Sequence, residues 1–418
     1  MHPLYTLAWV VSLPFVFLYL LWRARKQPEY LRHWGERLGA VPRLAGRPVI
    51  WVHAVSVGET RASAPLIQAL RATYPDHTLL LTHTTPTGRA TGARLFGQAV
   101  VQSYFPYDLP WCVRRFLTRS RPHLAVILET EIWPNLLYAC ARQGVPVFLV
   151  NARLSERSAR GYARLASLTR ESLRRFSCIA AQTAADAERL KRLGARAVTV
   201  TGNLKFDVPP PADTAQRAAE LRAAFAGRFV LLAASTREGE EDALLDALPR
   251  LDVPDLLLVI VPRHPQRFEA VARAIAARGL KFARRSQGHA PAADARVYLG
   301  DSLGELTAYY AAADLAFVGG SLLPHGGQNL IEAAAAGVPI LIGPHTWNFA
   351  AAAEQAVACG AALRVADVDE LVAAVKALYA DPTRRQAMAA AGRAYARSQQ
   401  GATARVMALL MAALPPRA

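Results

Sequence analysis

Val49-Ile50-Trp51-Val52-His53-Ala54-Val55-Ser56-Val57-Gly58-Glu59-Thr60 is the stretch that decides the fold. Its first seven residues, VIWVHAV (49–55), are apolar without alternation and rich in β-branched side chains. That is the pattern of a parallel strand covered on both faces. A glycine turn and a helical stretch follow. The same rhythm recurs at TLLLTHTT (78–85), LAVILET (124–130), VPVFLVN (145–151) and AVTVTGN (197–203). Right-handed βαβ units are therefore expected. VPPPADT (208–214), which holds a run of three prolines, reads as a linker. The rhythm then restarts at FVLLAAS (229–235), LLLVIVP (256–262), ARVYLG (295–300), LAFVGG (315–320) and PILIGP (339–344). The fold class predicted is α/β, with two doubly wound Rossmann-like domains facing a cleft. The predicted boundaries are a membrane anchor over 1–26, an N-terminal domain over 27–207, the linker over 208–214, and a C-terminal domain with its terminal helices over 215–418.

The chain has 418 residues, 52% of them hydrophobic and 19% charged, which provides a large core and excludes global disorder. Four well-separated cysteines, with no CxxC and no Cys/His cluster, exclude a disulfide scaffold and a zinc knuckle. The net charge of +17 calls for an anionic partner. Leu4 to Trp22 is free of charge and long enough to cross a bilayer, and Arg23, Arg25 and Lys26 follow it. The positive-inside rule then puts the bulk of the chain on the cytoplasmic side. Pro14 weakens an uninterrupted helix, so spanning the membrane and lying in its interface are both open.

Ligands of open α/β sheets bind beyond the carboxyl ends of the strands, so the residues where strands stop carry the information. Ser56 and Glu59 have capping-box spacing. The alternative points Glu59 into the cleft as a general base. Glu129-Thr130-Glu131-Ile132-Trp133-Pro134-Asn135 follows another strand; it reads either as helix N-terminal chemistry or as a second acidic group beside a reacting centre. Lys205, in Gly202-Asn203-Leu204-Lys205-Phe206-Asp207, is either a solvated charge or a cation for a leaving phosphate. In the second half, Pro262-Arg263 ends a strand where a guanidinium suits phosphate oxygens. Asp301 to Glu305 and Gly326 to Glu332 form polar or glycine-rich turns into helices, with loop geometry as the plain alternative to ligand binding. Asn151 to Arg192 holds ten Lys/Arg against four Asp/Glu; it reads as a solvated helix face or as a platform for lipid phosphates. Nucleic acid is not expected as a partner, because no binding motif accompanies the charge.

Together these motifs resemble one family, the Kdo (3-deoxy-D-manno-octulosonic acid) transferases of Gram-negative bacteria. The resemblance runs through Trp34-Gly35-Glu36-Arg37, HAVSVGE, TPTG (85–88), Pro106-Tyr107-Asp108-Leu109-Pro110, ETEIWPN, NARLS (151–155), TGNLKFD, VPRHP, FVGGS and GPHTWNF (343–349). It implies the GT-B fold, CMP-Kdo as donor and the lipid A precursor (lipid IVA) as acceptor. It also implies an inverting single displacement without metal or other cofactor, at the cytoplasmic face of the inner membrane. Carried onto this chain, the proton acceptor falls on Glu59 and the transition-state stabilisers on Glu129 and Lys205. Nucleotide contacts fall on Pro262, Arg263, Leu303, Gly304, Glu305, Asn329, Leu330, Ile331 and Glu332. The chain departs from the pattern at Leu303, where Met is common, and at Gln328, where His is common. Rival readings are another GT-B enzyme, such as a nucleotide-sugar epimerase or a lipid-linked glycosyltransferase, and a non-catalytic lipid-binding protein.

Overall fold

The computed structural model describes residues 3–25, 27–44 and 46–415. Lys26, which belongs to the basic flank named above, lies outside them. The chain divides into two compact units, residues 1–208 with 400–418 and residues 209–399.

The first unit is built on a parallel sheet of order β3-β2-β1-β4-β5-β6-β7. Its strands are β1 (Val49–His53), β2 (Thr78–His83), β3 (Val101–Tyr104), β4 (Pro122–Leu128), β5 (Val147–Ala152), β6 (Cys178–Ala181) and β7 (Val198–Val200). Register is tight at the centre, where Val52 faces Leu81 on β2 and Val126 on β4. Every residue of β1 is buried, as the unbroken apolar run requires. Trp51 anchors the core beneath β1, packed on Phe116 at 4.8 Å and donating its indole N–H to Thr82 Oγ1 at 2.8 Å. Burying such a side chain contributes about 2–3 kcal/mol, and the N–H bond removes the cost of an unpaired donor.

The second unit repeats the plan with order β10-β11-β9-β8-β12-β13-β14. Its strands are β8 (Phe229–Thr236), β9 (Leu256–Pro262), β10 (Phe282–Arg284), β11 (Val297–Leu299), β12 (Leu315–Val318), β13 (Ile340–Ile342) and β14 (Ala362–Arg364). Leu231, Leu258, Ile260 and Phe317 form the centre of its core. The strands predicted from the sequence are all present. Four short edge or near-edge strands, β3, β6, β10 and β14, were not predicted.

The second domain expected over 215–418 ends at Gln399, because the last helix, Ala402–Ala413, belongs to the first unit. Val406, Met407 and Leu410 are buried there with Ile50, Leu66 and Leu70. Asp207 fixes the return by accepting hydrogen bonds from the backbone N–H groups of Gly401 (2.7 Å) and Thr403 (2.5 Å). The N-terminal helix, Pro3–Ala24, runs through Pro14 without a break.

Asp207→Ala removes the carboxylate that satisfies the start of the last helix, a loss of about 1 kcal/mol for a cap of this kind. Amide exchange of residues 402–413 is expected to accelerate while that of β1 stays unchanged.

Candidate active site

Glu59 lies in the first turn of the helix Val57–Ala62, directly after β1. The capping reading is realised, shifted by one residue. Ser56 Oγ accepts from Glu59 N at 3.4 Å and donates to Glu59 Oε1 at 2.9 Å, while Glu59 Oε2 accepts from Val55 N at 2.8 Å. The residue is nonetheless only 9% exposed. Burial, with the nearby charges of Glu129 and Glu131, pushes its carboxyl up to about 7, against the lowering effect of those two hydrogen bonds. Capping therefore leaves the group titratable near neutral pH.

Glu129 directly follows β4 with φ +58°, a left-handed backbone that is costly for a residue with a Cβ. Its Oε1 receives Lys205 Nζ at 3.1 Å, so the two candidate stabilisers form one ion pair. Glu131 is half-buried and accepts from Trp133 Nε1 at 2.9 Å. Burial raises its carboxyl to about 7, with Glu129 adding to the rise. Neither glutamate caps the following helix, Pro134–Arg142. Asp108 does, accepting from Asn135 N (3.0 Å) and Leu136 N (2.7 Å). The helix N-terminal reading of this motif thus belongs to Asp108, and both glutamates are left free of that duty.

Several motif residues with no assigned role turn out to hold these side chains in place. Asn151 Oδ1 accepts from Leu204 N at 3.0 Å and Asn203 Oδ1 accepts from Lys205 N at 3.0 Å, which fixes the turn that carries Lys205. A Cβ at Gly88 would meet Val55 O at 3.1 Å, so the glycine of TPTG lets its helix back closely onto the Glu59 turn. Glu36 of the WGER motif binds Tyr104 N at 2.8 Å and pairs with Arg89. His53 is fully buried against Phe105 at 4.1 Å, and burial depresses its imidazole to about 3. It is a neutral core residue. The signal for these supports was present in the motifs, but only the tertiary pairing shows which group each one serves.

The candidate nucleotide residues lie together in the second unit. Pro262 closes β9, and Arg263 is exposed, with Nε donating to Gln328 Oε1 at 3.1 Å. The departure at Gln328 therefore keeps a hydrogen bond to the candidate phosphate-binding arginine. Leu303 is exposed and Gly304 has φ +84°. Glu305 is gripped by Arg285 through two bonds (2.8 and 3.1 Å) and by Arg217 at 2.9 Å. The hydrogen bonds from Arg285, foremost, hold its carboxyl down at about 2. Asn329 lies ahead of the helix Ile331–Ala336, so it shares no helix face with Glu332, yet its Nδ2 donates to Glu332 Oε1 at 3.1 Å. Leu330 and Ile331 are buried in the core, so at those two positions the backbone is what remains to meet a ligand.

Residues 32–208 match the family model described as 3-Deoxy-D-manno-octulosonic-acid transferase (kdotransferase), and residues 229–395 match glycosyl transferases group 1. The 3-deoxy-D-manno-octulosonic acid transferase of Bordetella pertussis is 46% identical over 419 residues, covering 96% of this chain and 97% of that protein. The chain belongs to the 3-deoxy-D-manno-octulosonic acid transferase family. The transferase of the same name from Haemophilus influenzae is 35% identical, with 97% of each chain covered. Among solved structures, the S. aureus MnaA–UDP co-structure superposes with a TM-score of 0.63 at 15% identity, over 88% of this chain and 98% of that one. That likeness shows the fold, the GT-B class of two Rossmann-like domains. As a member of the family the chain is a glycosyltransferase.

The raised Glu59 carboxyl makes a stability prediction. Its folded value lies above the ordinary 4.5. The ionised form therefore destabilises the fold, by an amount absent below pH 4.5 and fully present above about 7. Glu59→Gln removes the charge; its amide oxygen can still accept from Val55 N, and its NH2 can donate to Ser56 Oγ in place of the bond Glu59 accepts there. Its melting temperature is expected to exceed that of the parent by a few degrees at pH 8 and by little at pH 5. Equal values at the two pH values would show that Glu59 is not strained by its charge.

Proposed function

We propose that the protein transfers Kdo from CMP-Kdo to the lipid A precursor (lipid IVA) by an inverting single displacement, in lipopolysaccharide synthesis at the cytoplasmic face of the inner membrane. The observation that carries this reading is the buried Glu59 carboxyl, titrating near 7 beside the Glu129–Lys205 pair. A general base works best when its pKa lies near the working pH. Each Glu59 oxygen accepts one hydrogen bond from its own turn and keeps a second lone pair. That lone pair takes the proton of the acceptor's sugar hydroxyl as the oxygen attacks the anomeric carbon of Kdo. The bond from that carbon to the phosphate oxygen of CMP breaks on the opposite face.

Lys205 stands ready for the negative charge that builds on the leaving phosphate, held in place by Glu129. Arg263, the turn at Leu303 and Gly304, and the Asn329–Glu332 pair hold the nucleotide, the carboxylate of Glu332 accepting from ribose hydroxyls. Glu305 acts through its arginines and shapes that turn. The residues present supply base, cation and phosphate donors, and the proposed mechanism assigns no step to a metal.

The N-terminal helix supports membrane attachment. It has 22 residues, and its most apolar 18-residue window has a mean hydropathy of 2.0 with only 6% of it buried. Leu4, Val11, Phe15 and Leu18 stand exposed, and Arg23 and Arg25 follow. Arg170, Arg174 and Arg175 line one open groove of the first unit and supply positive charge for lipid phosphates.

Incubation with CMP-Kdo and the lipid A precursor, followed by mass measurement, is expected to show the acceptor gaining Kdo. Glu59→Gln is expected to abolish transfer while CMP still raises the melting temperature; retained turnover removes Glu59 as the base. The wild-type kcat/KM should fall as pH drops below about 7, where Glu59 takes up its proton. Arg263→Ala is expected to weaken CMP binding on the order of ten-fold or more, the loss of a charge-assisted contact. If UDP and not CMP stabilises the protein, the reading as another GT-B enzyme replaces this one.

A further inference from the structure

The loop 129–133 carries Glu129 and Glu131 but belongs to no helix or strand. Its first residue is held in a left-handed backbone, so contacts from outside must maintain its shape. Thr130 donates to Arg153 O on one side. On the other side the support comes from the N-terminal helix.

Trp9 packs its ring on Trp133 at 6.2 Å and on Tyr107 at 5.9 Å, and its own indole N–H is satisfied by Tyr5 Oη at 2.8 Å. Thr6 Oγ1 accepts from Asn135 Nδ2 at 3.1 Å, and that amide also donates to Asp108 O at 2.8 Å. Further along, Phe17 lies near Tyr107 at 6.4 Å and stacks on Trp34 at 4.9 Å. The helix thus touches the body of its own unit from Thr6 to Phe17, and its inward residues meet the elements that flank the loop. Trp133 is the link. One face of its ring environment is Trp9, another is Phe105 at 5.3 Å, and its N–H ends on Glu131 Oε2. A simple membrane tether needs none of these contacts.

We propose that Trp9 is a positioning residue of the reaction site, seating Trp133 so that the loop 129–133 keeps its shape and presents Glu129 to Lys205. The proposal rests on the reading of Glu59, Glu129 and Lys205 as the reacting groups. Glu131 feels the charge of Glu129 on its own loop, and its own charge acts on Glu59 from the helix after β1 and on Tyr162 from the helix Glu156–Ala163. With Lys205 spoken for by Glu129, the Trp133 N–H is the donor that fixes where the Glu131 carboxyl points. Removing Trp9 leaves Trp133 without one of its ring contacts and lets that donor swing away.

The test uses the full chain in detergent micelles, where attachment to a bilayer no longer limits access to the acceptor. Trp9→Ala, Trp9→Phe and Trp133→Phe are compared for kcat, for KM toward CMP-Kdo, and for binding to vesicles. Trp9→Ala should lower kcat on the order of ten-fold with KM for CMP-Kdo unchanged, since small displacements of reacting groups cost that much or more. Trp9→Phe keeps an aromatic ring and should restore most of the rate. Trp133→Phe keeps the ring but loses the donor and should behave like Trp9→Ala. An unchanged kcat in micelles, with loss confined to vesicle binding, would reduce the helix to an anchor and overturn the proposal.

A second readout needs no turnover. Amide exchange over residues 129–136 should accelerate in Trp9→Ala while β1 and β4 stay protected. Unchanged exchange of that loop overturns the proposal whatever the activity. If exchange accelerates while Glu59→Gln retains full activity, the seating stands and the base assignment falls.

Discussion

A parallel strand ends with its last backbone groups at the same edge as those of its neighbours, and in a doubly wound sheet that edge cannot be closed by hairpins. The amides and carbonyls there must be met by side chains from adjoining loops. In the first unit Asp108 meets Asn135 and Leu136, Asn151 meets Leu204, and Glu36 meets Tyr104. In the second, Glu240 is fully buried and accepts from Gly320 N and Leu322 N. These polar residues make the loops rigid. Rigid loops are what let Glu59, Glu129 and Lys205 keep fixed places without belonging to one element.

The charges at that edge are out of balance. The charge of Glu129 acts on both Glu59 and Glu131, and the ion pair to Lys205 serves Glu129. Burial foremost, with the neighbouring carboxylates adding to it, makes the other two carboxyls hold their protons more tightly. Such an arrangement works against stability and suits proton transfer, so the least comfortable part of the first unit is also the part best suited to chemistry.

The sequence made the central strands plain because they are continuous apolar runs, as in VIWVHAV and LLLVIVP. Edge strands such as Phe282–Arg284 and Ala362–Arg364 are three residues long and partly solvated, so no run announces them. The candidate site was legible as a set of motifs at strand ends. Which duty each motif performs was not. Ser56 and Glu59 look like a cap and are one, yet the burial that makes Glu59 titratable comes from the packing around it. Asp108 was visible only as part of a turn, and its capture of the next helix depends on a contact 27 residues away. Nothing local in the last helix marks it as part of the first unit, since apolar positions at helical spacing fit any core.

That last helix sets the order of events during synthesis. Val406, Met407 and Leu410 complete a core that Ile50 and Leu66 begin. The first half of the chain leaves the ribosome with this core open and cannot close it until the final residues emerge. Domains usually fold in the order they are made. Here the earlier one must wait for the later one to be translated, with an apolar surface uncovered in the meantime.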